Sequence, residues 1–296
     1  MQTKQQIQQI LASIGARPDK KLGQNFLIDI NLINFLLDKA CIKPKDTVFE
    51  IGCGTGTLTE GLAERAGRVI VVEYDKLLSA AVANMFSDIE HVTIINGDAL
   101  DGKNSINRQA IELISESQKN LGGRVLLVAN LPYNIAASAM MNLVTAPPIA
   151  DEMYVTIQKE VAQRMASRNG DELYGILSVI MGATGNVKIL KKLGQNVFWP
   201  APKIDSAMVQ YIRDEDKISK ICDIDVFRQV VSLFLGHRRK TLRACTKLAD
   251  QRLGDIEIWP QIFESSGIDS QLRAEKLPPE DFVKLANTIV ALASSV

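Results

Sequence analysis

The sequence predicts an α/β protein built on parallel strands, with a small all-helical domain at its carboxyl end. Three observations predict it. Apolar runs at 47–51, 69–73, 92–95 and 125–129 are short, continuous and rich in Val and Ile, as buried parallel strands are. A glycine loop, Gly52-Cys53-Gly54-Thr55-Gly56, joins the first of these strands to a helix with Leu58, Leu62 and Ala63 on one face. The strand–helix alternation stops near Arg213, and the remainder of the chain reads as helix. The expected domains are residues 1–213 and 218–296, joined by the charged linker Asp214-Glu215-Asp216-Lys217.

The chain's 296 residues suffice for one large domain and one small one, and 46% hydrophobic content is that of a well-packed soluble protein. Cys41, Cys53, Cys222 and Cys245 have neither metal-type nor redox-type spacing, so no metal site is expected and a reducing cytoplasm is. The Gln-rich segment Met1–Arg17 lacks the apolar core of a signal peptide, and no apolar run is long enough to span a membrane. With 34 basic and 34 acidic residues the chain is neutral overall. A nucleic-acid partner must therefore be met by local charge.

Taken in order, Leu32, Ile33, Leu36, Leu37 and Ala40 mark the first strong helix face. The polar Gln24-Asn25 before it is either a helix cap or a lid over a cofactor. After the first strand, the glycine loop is neither a P-loop, since no Lys-Ser/Thr follows, nor the usual dinucleotide loop, since Thr57 stands where the third glycine belongs. Glu73 ends the second strand, 21 positions after Gly52, where a carboxylate can hold both ribose hydroxyls; it can also serve a helix start, with Asp75 as the cap. Asp98 follows the third strand and can accept from an adenine amine. Each acid alone is a weak signal. Glu50, the glycines, Glu73 and Asp98 in strand-end order point to a nucleoside cofactor.

Residues 101–123 read as a polar crossover with a helix around Ile106–Ile114, and Ala136–Val144 as a helix ending before Pro147-Pro148. A strand comes next at 153–157, then a helix from Lys159, a segment from Gly175 that is strand or helix, a strand at 187–193 and a last strand at 207–212. Helices are expected at 226–235 and 238–248.

The fourth strand delivers Asn130-Leu131-Pro132-Tyr133 to its carboxyl end, where open α/β sheets bind ligands. The Asn130 amide oxygen and the Leu131 carbonyl are two acceptors for one exocyclic amine. Such a pair favours a pyramidal nitrogen with its lone pair available for attack. Pro132 fixes φ, and the Tyr133 ring, rather than its hydroxyl, offers a stacking face. On these residues alone, a strand and a turn with a buried tyrosine explain the sequence equally well. The stiff loop Phe198-Trp199-Pro200-Ala201-Pro202 holds a second aromatic candidate in Phe198, whereas Trp199 fits packing. His237-Arg238-Arg239-Lys240-Thr241-Leu242-Arg243 is the densest basic run, a solvated helix face or a phosphate contact.

Together these motifs resemble the rRNA adenine-N6 dimethyltransferases, closest to the bacterial small-subunit (KsgA) type. The resemblance rests on Gln24-Asn25-Phe26-Leu27, Glu50-Ile51-Gly52-x-Gly54-x-Gly56, Glu73-x-Asp75, Gly97-Asp98-Ala99, Asn130-Leu131-Pro132-Tyr133, Gln158-Lys159-Glu160-Val161, Phe198-x-Pro200-x-Pro202-Lys203 and Arg238-Arg239-Lys240-Thr241-Leu242. It implies a seven-stranded, Rossmann-like class I methyltransferase sheet, S-adenosyl-L-methionine as cofactor, and two adjacent adenines near the 3′ end of small-subunit rRNA as substrate. It further implies a cytoplasmic, monomeric enzyme acting on an immature ribosomal subunit. Gln24, Asn25, Leu27, Gly52, Gly54, Gly56, Glu73, Asp98 and Asn130 would hold the cofactor. Asn130, Leu131, Tyr133 and Phe198 would hold the flipped adenine. Lys203, Arg238, Arg239, Lys240 and Arg243 would contact RNA. Cys53 departs from the family's usual proline, and the segment after Leu100 is long. The competing readings are a large-subunit adenine methylase of the macrolide-resistance type and an assembly factor that only binds.

Overall fold

A computed structural model describes residues 1–19, 22–102, 105–145, 150–250, 253 and 256–293. Lys20, Lys21 and the Pro147-Pro148 helix stop lie outside the described residues. The chain divides into two compact units, Met1–Ala162 with Lys188–Ile212, and Gln163–Val187 with Arg213–Val296. The second unit therefore takes in residues 163–187, which the sequence pattern places in the first domain.

The first unit carries helix α1 (Lys4–Ser13), strand β1 (Phe26–Leu27), α2 (Ile30–Ala40), β2 (Thr47–Ile51), α3 (Thr57–Ala63) and β3 (Arg68–Glu73). It continues with α4 (Lys76–Met85), β4 (Val92–Asn96), α5 (Arg108–Leu121), β5 (Val125–Asn130), α6 (Ala136–Thr145), β6 (Glu152–Gln158) and the first half of α7 (Lys159–Ala166), whose residues from Gln163 belong to the second unit. Beyond α8 (Ile176–Thr184) come β7 (Gly185–Leu193), β8 (Phe198–Trp199) and β9 (Ser206–Arg213). The expected seven-stranded sheet is present, in the order β4-β3-β2-β5-β6-β9-β7. Strands β2 to β6 run parallel and β9 runs antiparallel to β6.

Strand order reverses at β2 and β5, so the crevice at their carboxyl ends is where this sheet can seat a ligand. Every residue of β2 is buried, as is β5 up to Ala129. That is why both read as unbroken apolar runs rather than alternating ones. Asp29 caps α2 by accepting from the backbone N–H groups of Asn31 and Leu32, and Asp75 caps α4 through Leu77 and Leu78. At the opposite edge, Arg124 bonds Asp46 at 2.5 Å and Glu152 at 2.8 Å, tying together the starts of β2, β5 and β6.

Helix α1 is not evident from periodicity, because its glutamines hide a thin apolar stripe. Its signature is nevertheless written at its start: Thr3 and Gln6 form a reciprocal capping box. Ile7 and Leu11 then pack with Phe26 and Leu78.

The second unit is helical, comprising α8 with α9 (Glu215–Ile218), α10 (Ile224–Leu235), α11 (Leu242–Cys245), α12 (Trp259–Ser266) and α13 (Pro279–Ala293). Its core gathers Phe227, Phe234, Trp259 and Phe282, all buried, with Phe234 and Trp259 edge to face at 5.6 Å. Two expectations change here and one open alternative is resolved. The supposed linker 214–217 forms α9, capped by Asp214. The ambiguous segment after Gly175 is helix. The basic run does not lie along a helix: 238–240 form a turn, and the chain is α-helical again only over Leu242–Cys245.

Two glycines show how closely the sheet's lower loops approach. A Cβ on Gly67 would lie 2.2 Å from the Pro44 carbonyl oxygen, and one on Gly123 2.0 Å from that of Lys45. Backbone cannot yield as a flexible side chain can. Gly123→Ala is expected to cost about 1–3 kcal/mol, as overpacking does elsewhere. Thermal denaturation measures it, and a melting point unchanged from wild type would show that the 44–45 turn yields freely.

Candidate active site

The crevice at the carboxyl ends of β2, β3, β4 and β5 encloses about 310 Å³. Its lining includes Gln24, Asn25, Gly52, Gly54, Glu73, Asp98, Asn130, Leu131 and Tyr133, nine of the residues expected from the sequence. The glycines are there for geometry. Gly52 and Gly54 have φ of +77° and +56°, in the left-handed region. A Cβ on Gly54 would also lie 2.8 Å from the Phe26 ring, and one on Gly52 3.1 Å from Pro132 Cγ.

Glu73 is 6% exposed, and backbone groups fix both of its oxygens. Oε2 accepts from Gly54 N–H at 3.0 Å and Oε1 from Asp75 N–H at 2.9 Å. A carboxylate has about four acceptor positions, so it retains capacity for hydroxyl donors. Burial raises its pKa, against the lowering effect of those two hydrogen bonds. Asp98 is exposed; Oδ1 accepts from Leu100 N–H at 2.9 Å.

Asn130 carries the most informative geometry. Its Nδ2 donates to the backbone carbonyl of Asn25 at 2.9 Å. A carbonyl can only accept, so this bond fixes which end of the amide is nitrogen. The opposite atom, Oδ1, is buried and has no partner among the described residues. Asn25 in turn donates from its side chain to Gly23 O, and Gln24 Nε2 bonds Asp75 Oδ2 at 3.0 Å. The Gln24-Asn25 pair is thus tied to the cap of α4 and to the end of β5, and the cap on α2 is Asp29 instead.

Tyr133 lines the crevice, but its hydroxyl is not idle, contrary to the expectation that only the ring matters. It lies 2.6 Å from Oγ of the fully buried Ser206, which holds the ring in place. Removing that hydroxyl would leave Ser206 unpaired, so a phenylalanine there is not equivalent.

Three expected residues stand apart from this crevice. Phe198 is 3% exposed, sits opposite Leu27 in the β1–β8 pair and packs in the same hydrophobic cluster. Its ring is committed to the core and offers no stacking face here. Leu27 is held in the same way. Gly56, at φ +84°, shapes the start of α3 against Val82 and Phe86.

The residue that sequence reasoning misses is Phe26. It lines the crevice, closes over Gly54 and stacks at 6.3 Å on Trp199. Its signal is an aromatic directly after the polar Gln24-Asn25 pair, and the polar pair masks it. Lys203 is exposed and outside the crevice. In the second unit Arg239, Lys240 and Arg243 are exposed, whereas Arg238 donates to Glu172 O at 3.0 Å and lies 3.6 Å from Glu275. Neither histidine enters the crevice: His91 bonds Ala63 O and His237 bonds Leu233 O. No cluster of potential metal ligands occurs among the described residues.

A mixed seven-stranded sheet of this order, with a glycine loop after β2 and acids after β3 and β4, defines a class I S-adenosylmethionine-dependent methyltransferase. The profile of the ribosomal RNA adenine dimethylases matches residues 15–291, and the chain belongs to that family. Among its relatives, "Ribosomal RNA small subunit methyltransferase A" of Pelotomaculum thermopropionicum is 37% identical over 285 residues, 96% of this chain and 95% of that one. The protein of the same name from Pediococcus pentosaceus is 36% identical over 284 residues, covering 95% and 92%. The fold is shared with a dimethyladenosine transferase from Plasmodium falciparum at a TM-score of 0.68 and 22% identity, covering 87% of this chain and 94% of that one. The 23S rRNA methyltransferase ErmE shares it at 0.59 and 20%, covering 90% and 100%.

The crevice suits S-adenosylmethionine on this structure's own terms. Its volume falls within the range of small-molecule sites, its glycines permit close backbone approach, and Glu73 and Asp98 match a cationic nucleoside.

Behind the crevice, Glu50 is fully buried and accepts from Thr59 Oγ1 at 2.7 Å. Burial pushes its pKa up from 4.5 to about 8. A carboxyl raised on folding contributes stability that is full below the ordinary value and lost as pH climbs through the folded one. Between pH 4.5 and about 8 this group therefore erodes stability. Glu50→Gln keeps the acceptor for Thr59 and cannot ionise. Its melting point should fall less than that of wild type over this interval; parallel curves would mean that Glu50 ionises freely in the folded protein.

Proposed function

We propose that this chain dimethylates N6 of two adjacent adenines near the 3′ end of small-subunit rRNA, and that it does so as a cytoplasmic monomer on an immature subunit. The observation that carries the reading is the Asn130 amide at the end of β5, held by Asn25; its buried Oδ1 acceptor has no partner among the described residues. The small-subunit relatives support this substrate over a large-subunit one, and the intact glycine loop argues against a purely binding role.

S-adenosylmethionine, when bound, supplies a methyl group on a cationic sulfur. Glu73 holds its ribose, Asp98 its adenine amine, and Gln24 and Asn25 cover it. The target adenine leaves its stack to enter the site. There Asn130 Oδ1 and the Leu131 carbonyl accept from N6, turning the nitrogen pyramidal and its lone pair outward. Tyr133 supports one face of the base, oriented by Ser206. No side chain need take the proton before transfer, which fits two histidines engaged elsewhere. Catalysis is then mainly positioning, for which alignment can supply up to about 7–11 kcal/mol. The exposed Lys203, Arg239, Lys240 and Arg243 are the phosphate contacts, with Arg238 bracing the turn.

Asn130→Ala should reduce the single-turnover rate on immature small subunits by about 10²–10³, the range for other transition-state hydrogen bonds, with cofactor affinity little changed. A rate close to wild type would remove Asn130 from the chemistry. Glu73→Ala should instead weaken S-adenosylmethionine binding by on the order of 1.5–3 kcal/mol for each bond lost, as read by calorimetry. Undiminished affinity in the folded variant would place the ribose elsewhere.

A further inference from the structure

Outside the crevice, the first unit places two ammonium groups on one aromatic ring. Lys39 of α2 and Lys191 of β7 lie 5.6 and 5.3 Å from the centroid of Phe35. Lys188 and Lys192 are exposed on the same strand. No carboxylate lies within ion-pair distance of any of these four lysines among the described residues. Each ammonium gains a modest attraction from the ring face. Two like charges beside one ring also repel each other, and among the described residues no ion pair offsets them. In a chain with no net charge, such a concentration is a local choice of sequence.

β7 ends the seven-stranded sheet, and lysines on an edge strand guard against strand-to-strand association. That accounts for part of β7. It does not account for Lys39, which stands on a helix and converges on the same ring. Two ammonium groups held near one aromatic ring suit a polyanion, because the ring contact orders the side chains while their N–H donors remain available to phosphate.

We propose that Phe35, Lys39, Lys188, Lys191 and Lys192 form a second phosphate-contact surface for rRNA, in addition to the loop and turn lysines and arginines assigned above. The surface binds the RNA backbone without reading sequence and sets capture rather than chemistry. This inference rests on the proposed rRNA substrate.

The test compares two triple variants with wild type, Lys39→Ala/Lys191→Ala/Lys192→Ala and Lys39→Glu/Lys191→Glu/Lys192→Glu. Binding to immature small subunits is followed across salt concentrations, alongside single-turnover methylation and S-adenosylmethionine titration. Each lost phosphate contact should flatten the log–log salt slope by roughly 0.7–0.9, so the alanine variant should lose roughly 2–3. KM for the subunit should rise about tenfold or more for alanine and further for glutamate. The rate at saturating subunit and the cofactor affinity should stay at wild-type values. Replacement of all three lysines by arginine should restore the slope. Glutamate guards a sheet edge as well as lysine does, so a glutamate variant that binds with wild-type KM and salt slope overturns the proposal and leaves edge protection as the patch's role. A wild-type protein that binds the subunit but transfers no methyl group would instead sink the substrate reading, while the slopes still report on the patch.

Discussion

The contact between Gly52 and Pro132 sets the geometry on which the site depends. The two residues come just after β2 and β5, the neighbouring strands at which sheet order reverses. A side chain at position 52 would lie 3.1 Å from the proline ring and would have to adopt the left-handed backbone that favours glycine, so a glycine there lets the loops meet without strain. That meeting places the glycine loop and the Asn130–Tyr133 segment on one crevice. Phe26 closes over Gly54, and its carrier segment supplies the Asn25 carbonyl that holds Asn130. The lid, the glycine loop and the strand end are thus positioned by one another.

The parallel strands are legible in the sequence because burial on both faces leaves an unmistakable apolar run, as at Val125–Ala129. The strand-end acids are legible because their spacing follows from the βα repeat. The features that stay hidden depend on contacts between distant residues. Nothing local distinguishes a Phe198 that stacks on a ligand from one that pairs with Leu27 and enters the core. The Tyr133 hydroxyl is assigned only by Ser206, 73 positions away. Residues 163–187 look like a continuation of the first domain, because their place in the second unit rests on partners such as Leu277, whose carbonyl accepts from Tyr174.

Charge follows the same division. The basic run at 237–243 is visible in sequence, but the turn that carries it and the engagement of Arg238 with Glu172 and Glu275 are not. Lys39 and Lys191, both close to the Phe35 ring, are 152 positions apart in the chain and acquire a common role only when α2 and β7 are folded.

The fixed orientation of the Asn130 amide has a consequence for which nucleobase the site accepts. Asparagine can ordinarily rotate its amide and present nitrogen or oxygen as the partner demands. Here the Asn25 carbonyl removes that choice, because rotation would set oxygen against oxygen. In the role proposed for Asn130, the site would show only an acceptor where the base's six-position substituent enters. Adenine offers an amine there and guanine or hypoxanthine a carbonyl, so the wrong purines meet two facing lone pairs and leave a buried acceptor unpaired. Polar sites that reject by unpaired groups can reach discrimination of about 10⁴–10⁵, far beyond what shape achieves between purines of nearly equal size. On that role, the backbone carbonyl of Asn25 would decide which base is accepted.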